Sequence, residues 1–261
     1  MTYREISLAI QAAERKAAVL MMQAHDIIAE NKSGARDVVT EYDRRVQQLL
    51  IGELRALLPD AHFFCEEMNE QEKLDSARLF IIDPIDGTMN FVRGFHHSAI
   101  SVAYAERGRV MAAAVYNPYL DEMFHAARGE GAFLNERAIH VAEEDLAHSV
   151  VCFGTSPYRP DLADKTFGRA RQLYEASLDV RREGTAALDL CSVAAGRAGL
   201  FFEFNLSLWD YAAGVLIIEE AGGRCRTADG DTLPYTGEKS SVSAASPKVM
   251  EEYLRLCGVR G

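Results

Sequence analysis

The 261-residue chain predicts an α+β fold, and three stretches of it carry that prediction. The first 59 residues hold two segments with apolar side chains at helical spacing. Residues 98–141 read as strands in series with no helix between them, and residues 149–221 alternate short apolar runs with helical segments. Strands in series imply a meandering antiparallel sheet, and alternation implies layers of helix on sheet. One domain is expected over 1–261, with an α+β half over 1–145 and an α/β half over 146–261. The polar residues 143–146 mark a soft boundary between them.

Each element follows from its pattern. Ile6, Ile10, Ala13, Ala17, Leu20, Ala24 and Ile27 lie on one face of a helix over about 6–28. Asn31-Lys32-Ser33-Gly34 breaks it. A second helix begins near Thr40, carries Val46, Leu49, Leu50, Leu54 and Leu57, and ends before Pro59. Residues 61–65 form a short strand closed by Glu66-Glu67, and the polar segment 68–76 is a flexible loop. Leu79-Phe-Ile-Ile82 is a continuous apolar run, hence a strand buried on both faces, and Pro84 is expected to stop its ladder. Runs 98–105 and 110–116 flank Arg107-Gly108, a hairpin signal, with strands 122–127 and 132–134 beyond. The second half reads as strand 149–153, helix 161–177, strand 178–182, helix 185–196, strand 200–204 and a nearly all-apolar helix 209–221 closed by Gly222-Gly223.

Composition narrows the function. A formal net charge of −11 argues against a nucleic-acid surface. It leaves room for an anionic substrate, because bound metal ions invert the local sign. Charged residues interrupt every apolar run near the N-terminus, so no signal peptide or membrane span is expected. Cys65, Cys152, Cys191, Cys225 and Cys257 are odd in number and widely spaced, which reads as free thiols in a reducing cytosol.

The chemistry concentrates after the buried strand, in Asp83-Pro-Ile-Asp-Gly-Thr88. Asp83 and Asp86 share one turn, and two carboxylates so placed repel unless a cation lies between them. Mg²⁺ takes such oxygen ligands together with phosphate and water. Gly87-Thr88 would open a helix whose backbone amides face an anion. Asx-turn capping is the bland alternative. Glu66-Glu67 joins the cluster if its strand neighbours that of Asp83. Thr40 and Asp43 have capping-box spacing, which accounts for Asp43 without catalysis, and Lys32 reads as a solvated surface lysine. Thr185, after Gly184, is a helix cap or part of a ligand loop. Asp210 suits the first turn of its helix, yet that helix must be buried, which aims the carboxylate inward. His96 and His97 point opposite ways in extended chain and read as loop residues.

These motifs resemble the inositol monophosphatase family of Mg²⁺-dependent, lithium-sensitive phosphatases. Asp83-Pro-Ile-Asp-Gly-Thr88 with Asn90-Phe91, and Trp209-Asp-Tyr-Ala-Ala-Gly214 running to Glu220-Ala-Gly-Gly223, carry the resemblance over nearly the whole chain. Glu66-Glu67, Thr40 to Asp43, Lys32 and Gly184-Thr185-Ala186 match further family positions.

The resemblance implies a layered αβαβα sandwich, a cytoplasmic homodimer and two or three Mg²⁺ ions per site. It further implies that Glu66, Asp83 and the Ile85 carbonyl hold a first ion, and that Asp83, Asp86 and Asp210 hold a second. Gly87 and Thr88 amides would receive phosphate, and Asp43, Glu66 and Thr88 would act in catalysis. Asp86, Gly184, Thr185, Ala186, Glu203 and Asp210 would face the substrate. The implied activity is hydrolysis of inositol monophosphate or a similar small polyol phosphate by metal-activated water, with no membrane or nucleic-acid partner. A nucleotide bisphosphatase or fructose bisphosphatase using the same metals is the enzyme alternative. A regulatory or RNA-associated module that keeps the fold is the alternative from another class. Cys65, Glu183 and Arg181-Arg182 depart from the family pattern and bear on substrate identity.

Overall fold

The computed structural model describes residues 1–34, 36–68 and 73–258. Helix α1 spans Tyr3–Met22, capped by a Thr2/Glu5 capping box, and α2 spans Glu41–Leu57. The first helix is shorter than its apolar spacing suggests: the chain leaves the helix at Gln23, and Ile28 is 77% exposed. The expected break at Asn31 to Gly34 is instead a strand. Strand β1 (Ala29–Gly34) pairs antiparallel with β2 (Asp37–Thr40) as a two-stranded hairpin. The polar sequence of β1 hides it, because Ala29 to Lys32 are exposed, whereas Val39 and Thr40 of β2 are buried. The expected loop 68–76 lies partly outside the described residues.

Strands β3 (His62–Cys65), β4 (Leu79–Asp86), β5 (Ala99–Glu106), β6 (Arg109–Asn117), β7 (Glu122–Ala127), β8 (Ala132–Leu134) and β9 (Arg137–Ile139) form a seven-stranded sheet in that spatial order. The expected meander is there, extended by β9. Strand β3 runs parallel to β4 and all later neighbours are antiparallel. Pro84 does not end β4. Pairing with β5 shifts register between Asp83 and Asp86 and resumes at Asp86 opposite Ala99. A missing donor is absorbed as a bulge, and bulges re-aim side chains beside functional sites. The six-residue helix α3 (Thr88–Arg93) follows, entered through Gly87 at φ 84°.

A second sheet has five strands: β10 (Val150–Phe153), β11 (Asp179–Arg181), β12 (Leu200–Leu206), β13 (Arg224–Arg226) and β14 (Ser240–Ala245), in the order β11-β10-β12-β14-β13. Strands β10, β11 and β12 are parallel, and β14 runs antiparallel between β12 and β13. The helices are α4 (Ala163–Ala176), α5 (Ala186–Ala194), α6 (Leu208–Glu220) and α7 (Pro247–Leu256). The last 38 residues, with β13, β14 and α7 among them, carried no expectation of secondary structure.

Alternating residues explain the layers. On β4, Phe80 and Ile82 pack with Ile10, Ala17, Val46 and Leu50 of α1 and α2. Leu79 and Ile81 face the other way, onto Leu190 of α5 and Leu216 and Ile217 of α6, which also cover Phe201, Val242 and Ala244 of the second sheet. The far side of that sheet, with Phe153, Leu200 and Phe202, packs on Leu173, Val249 and Tyr253 of α4 and α7. The order is therefore αβαβα, as the resemblance implies. Helix α6 is apolar all round because it lies between two sheets. Gly214 permits that approach: a Cβ there would lie 2.7 Å from Leu190 side-chain carbons. Among the described residues no helix is long and apolar enough to cross a membrane. Among the described residues no two cysteines form a disulfide, and Cys65, Cys152, Cys191 and Cys225 are buried.

Candidate active site

Strand ends build a single cleft. Neighbouring parallel strands β3 and β4 deliver Glu66 and Asp83 to the same edge, Cys65 lying opposite Ile82. The bulge brings Asp86 round, and β12 and α6 deliver Glu203 and Asp210 from the second sheet. The cleft is lined by Glu66, Asp83, Ile85, Asp86, Gly87, Thr88, Gly184, Thr185, Ala186, Glu203 and Asp210. Every implied metal or substrate residue thus lies on one wall or another of the same cavity.

Backbone amides fix the orientation of three of these carboxyls. Ile85 N–H donates to Asp83 Oδ1 at 3.1 Å, Ala187 N–H to Asp86 Oδ2 at 2.7 Å, and Ser207 N–H to Asp210 Oδ2 at 2.7 Å. Asp210 is thus a capping residue of α6 and a cleft residue at once. Thr185 likewise caps α5, accepting from Leu188 N–H at 3.2 Å, while it lines the cleft.

Asp43 is the one implied catalytic residue that does not line the cavity. It is fully buried in the first turn of α2, where Oδ2 accepts from Thr40 N–H at 2.7 Å and from the Thr40 hydroxyl at 2.5 Å. The capping box is therefore real. Its other oxygen, Oδ1, lies 3.3 Å from Thr88 Oγ1, which is also 3.1 Å from the Ile85 carbonyl. The cap does not use up the carboxyl: one oxygen caps the helix and the other faces Thr88. Burial pushes the Asp43 carboxyl up to about 6, against the pull of the Thr40 donors.

Desolvation first, and then mutual repulsion, raise Asp83 and Asp210 well above the usual carboxylate range. Glu66 and Asp86 press on both, and Asp210 presses on Asp83. Asp86 is raised too, chiefly by burial. Lys32 is no solvated surface lysine: its Nζ lies 2.8 Å from Glu66 Oε1 and also pairs with Glu67. Burial and the neighbouring Glu66 still push Glu67 up to about 7. Among the described residues no three His, Cys, Asp or Glu side chains form a ready-made cage. The donor set nonetheless fits a hard divalent cation. It is all oxygen, Asp83 and Asp86 are buried with Glu66 and Asp210 half-buried, and its ionisation is opposed by the very repulsion a cation would remove.

Several residues about the cleft gave no sequence signal. Ser156 N–H and its hydroxyl each donate to Glu203 Oε1 at 2.8 Å. Gly154, Thr155, Pro157, Tyr158 and Arg36 line the cavity, beside Arg182, which the sequence had marked as a departure bearing on substrate identity. Asn90 Nδ2 donates to the carbonyls of His97 and Glu183, both at 2.8 Å, tying the turn after β4 to the loop before α5. His97 places its Nε2 3.2 Å from Glu183 Oε2 and does not line this cleft. Polar residues after β10 could have been suspected only if β10 were known to neighbour β12.

Known proteins resemble the chain along its length. An inositol-1-monophosphatase of Rhizobium meliloti is 41% identical over 202 residues, covering 77% of this chain and 76% of its own. A protein of Pasteurella multocida named Nus factor SuhB is 36% identical over 253 residues, 95% of this chain and 94% of its own. A solved IMPase/NADP phosphatase complexed with Mg²⁺ and phosphate superposes with a TM-score of 0.87 at 25% identity, covering 100% of this chain and 98% of that one. The model of the inositol monophosphatase family matches residues 3–257, and the chain belongs to that family.

Proposed function

We propose that the protein is a Mg²⁺-dependent phosphoric monoester hydrolase that takes inositol monophosphate or a similar small polyol phosphate. The observation that carries this reading is the convergence of Glu66, Asp83, Asp86 and Asp210 on one cleft, with the Thr88 hydroxyl backed by buried Asp43. Glu66, Asp83, Asp86, Asp210 and the Ile85 carbonyl would hold two or three ions. Bound Mg²⁺ would neutralise phosphate charge and supply Lewis acidity.

The chain's own groups do the positioning, which is most of what phosphoryl transfer asks of a protein. Asp43 orients the Thr88 hydroxyl, whose oxygen can then accept from the attacking water. The Gly87-Thr88 turn receives the phosphate. Glu203, held by Ser156, and Asp210 meet the alcohol. A cytoplasmic homodimer acting on small phosphates, with no nucleic-acid partner, completes the reading.

The test is phosphate release from inositol 1-phosphate, titrated with Mg²⁺. Activity should need the metal, and Asp83→Asn should fold yet lose turnover by orders of magnitude. Near-normal turnover in that variant would remove the metal assignment. The name Nus factor, borne by a 36% identical relative, favours a second reading in which the fold serves regulation instead of hydrolysis. No release from any phosphate ester at any Mg²⁺ concentration would favour it.

A further inference from the structure

Strand β5 turns Ala99, Ser101, Ala103 and Ala105 to the face of the sheet that α5 and α6 cover. Three of the four are alanine, which suits helices lying close on that face. Ser101 breaks the pattern, although it is as buried as its neighbours at 1% exposure. Its hydroxyl has no hydrogen-bond partner among the described residues. Alanine would fill the same place without a polar atom, and a buried polar group left unpaired costs stability. Packing therefore gives no reason for serine here.

The sheet register supplies one. Ser101 stands opposite Asp83 of β4 on one side and opposite Val115 of β6 on the other. Opposed residues in an antiparallel pair share a face, with Cβ atoms about 4.5–5.5 Å apart. The Val115 side chain can accept nothing, so Asp83 is the polar neighbour across the sheet. Asp83 is itself only 2% exposed, and its Oδ1 already accepts from Ile85 N–H at 3.1 Å. An ionised carboxyl offers about four lone-pair sites. The backbone amide takes one, and a hydroxyl turning about χ1 can take another while the rest face the cleft. A donor behind a metal ligand fixes that ligand's direction and strengthens its hold on the ion.

We propose that Ser101 is a positioning residue of the cation site, its hydroxyl being the donor that holds the Asp83 carboxylate in place when a divalent cation binds there. A carboxylate on a cation is ionised, and hydrogen bonds to ionised acceptors are the strong ones. The serine thus serves the metal-bound protein and not the packing of the core. The inference rests on the Mg²⁺ reading of the cleft and adds a residue outside it.

The test is calorimetric titration with Mg²⁺ alone, joined to melting curves with and without the metal. Ser101→Ala should weaken Mg²⁺ binding roughly tenfold, the scale of one hydrogen bond to a charged acceptor. Without Mg²⁺ the same variant should melt no lower than the original, because it removes an unpaired hydroxyl. With Mg²⁺ at a concentration that saturates the original, it should melt lower. Ser101→Thr and Ser101→Val make a matched pair, alike in shape and different in the hydroxyl. Thr should keep part of the affinity that Val loses. A Kd for Ser101→Ala within about twofold of the original, or Thr and Val variants that bind Mg²⁺ alike, overturns the assignment. A fall in melting temperature of Ser101→Ala without Mg²⁺ also overturns it, since the hydroxyl would then be serving the core. If the unaltered protein binds no Mg²⁺, the metal reading of the cleft fails and this inference fails with it.

Discussion

Gly154→Ala isolates the role of one contact. Gly154 lines the cleft at the end of β10, and its backbone is not in the left-handed region, so alanine meets no conformational penalty there. What it meets is Glu203. A Cβ at 154 would land on Oε2 and Cδ and lie 2.7 Å from Oε1. Ordinary carbon–oxygen contact needs more than 3 Å, so the carboxyl must move by about an ångström or more. Glu203 is only 8% exposed and starts from β12, so it cannot swing into water at no cost. The move sacrifices its two hydrogen bonds from Ser156, each 2.8 Å long. Bonds to a charged acceptor contribute about 1.5–3 kcal/mol each. Partial relaxation should leave a net loss of about 2–3 kcal/mol, or roughly 5–10 °C in Tm for a chain of this size. Scanning calorimetry of Gly154→Ala, Glu203→Ala and the double variant would check this. The two losses should be strongly non-additive, because once the carboxyl is gone the methyl has room. KM for a polyol phosphate should rise in both single variants. Additive losses, or a Gly154→Ala protein within a degree of the original, would refute the contact as the reason for glycine.

Three further outcomes are expected. Asp43→Asn keeps the shape of the α2 cap but removes the charge behind Thr88, so kcat should fall about 10–100-fold with KM little changed, read in steady-state kinetics. Asp210→Asn should depress turnover on inositol phosphate and a plain aryl phosphate alike. Glu203→Gln, losing about 0.5–1.5 kcal/mol of a hydroxyl contact, should spare the aryl ester, and equal damage to both esters would put Glu203 in the catalytic machinery. Glu14, far from the cleft in α1, is fully buried with both carboxyl oxygens unpartnered among the described residues. Burial raises its pKa well above 4.5, so the fold favours its protonated form. The unfolded chain gives up that proton above 4.5, so stability is fullest below that pH and is lost as pH rises towards the folded value. Glu14→Met should raise Tm, by the equivalent of about 1–3 kcal/mol at neutral pH, and more at pH 8 than at pH 5. A gain that shrinks with rising pH would contradict the assignment.

Local pattern marked the acidic turn and the alternation of helix with sheet, while the order of the layers came from the resemblance. Apolar periodicity distinguishes α2 and α6 from the buried β4, and the Asp83 to Thr88 turn places metal-type ligands at a strand end because the residues are neighbours in sequence. Their chemistry is fixed by composition and their geometry by a few backbone angles. Pro84 showed where local reasoning fails. Its missing donor reads as an end to the ladder, but flanking strands held by two cores keep pairing across it, and a bulge results. The β1–β2 hairpin escaped notice because Ala29 to Lys32 of β1 are all exposed and leave no alternation. Asp43 looked like a cap and is one, but only the packing of α2 against β4 turns its second oxygen towards Thr88. What surrounds Glu203 in the cleft belongs to tertiary structure alone. Gly154 and Ser156 meet Glu203 because β10 is the parallel neighbour of β12 across 46 residues of intervening chain, and strand order is decided by which faces must be buried together, not by any residue's own neighbours in sequence.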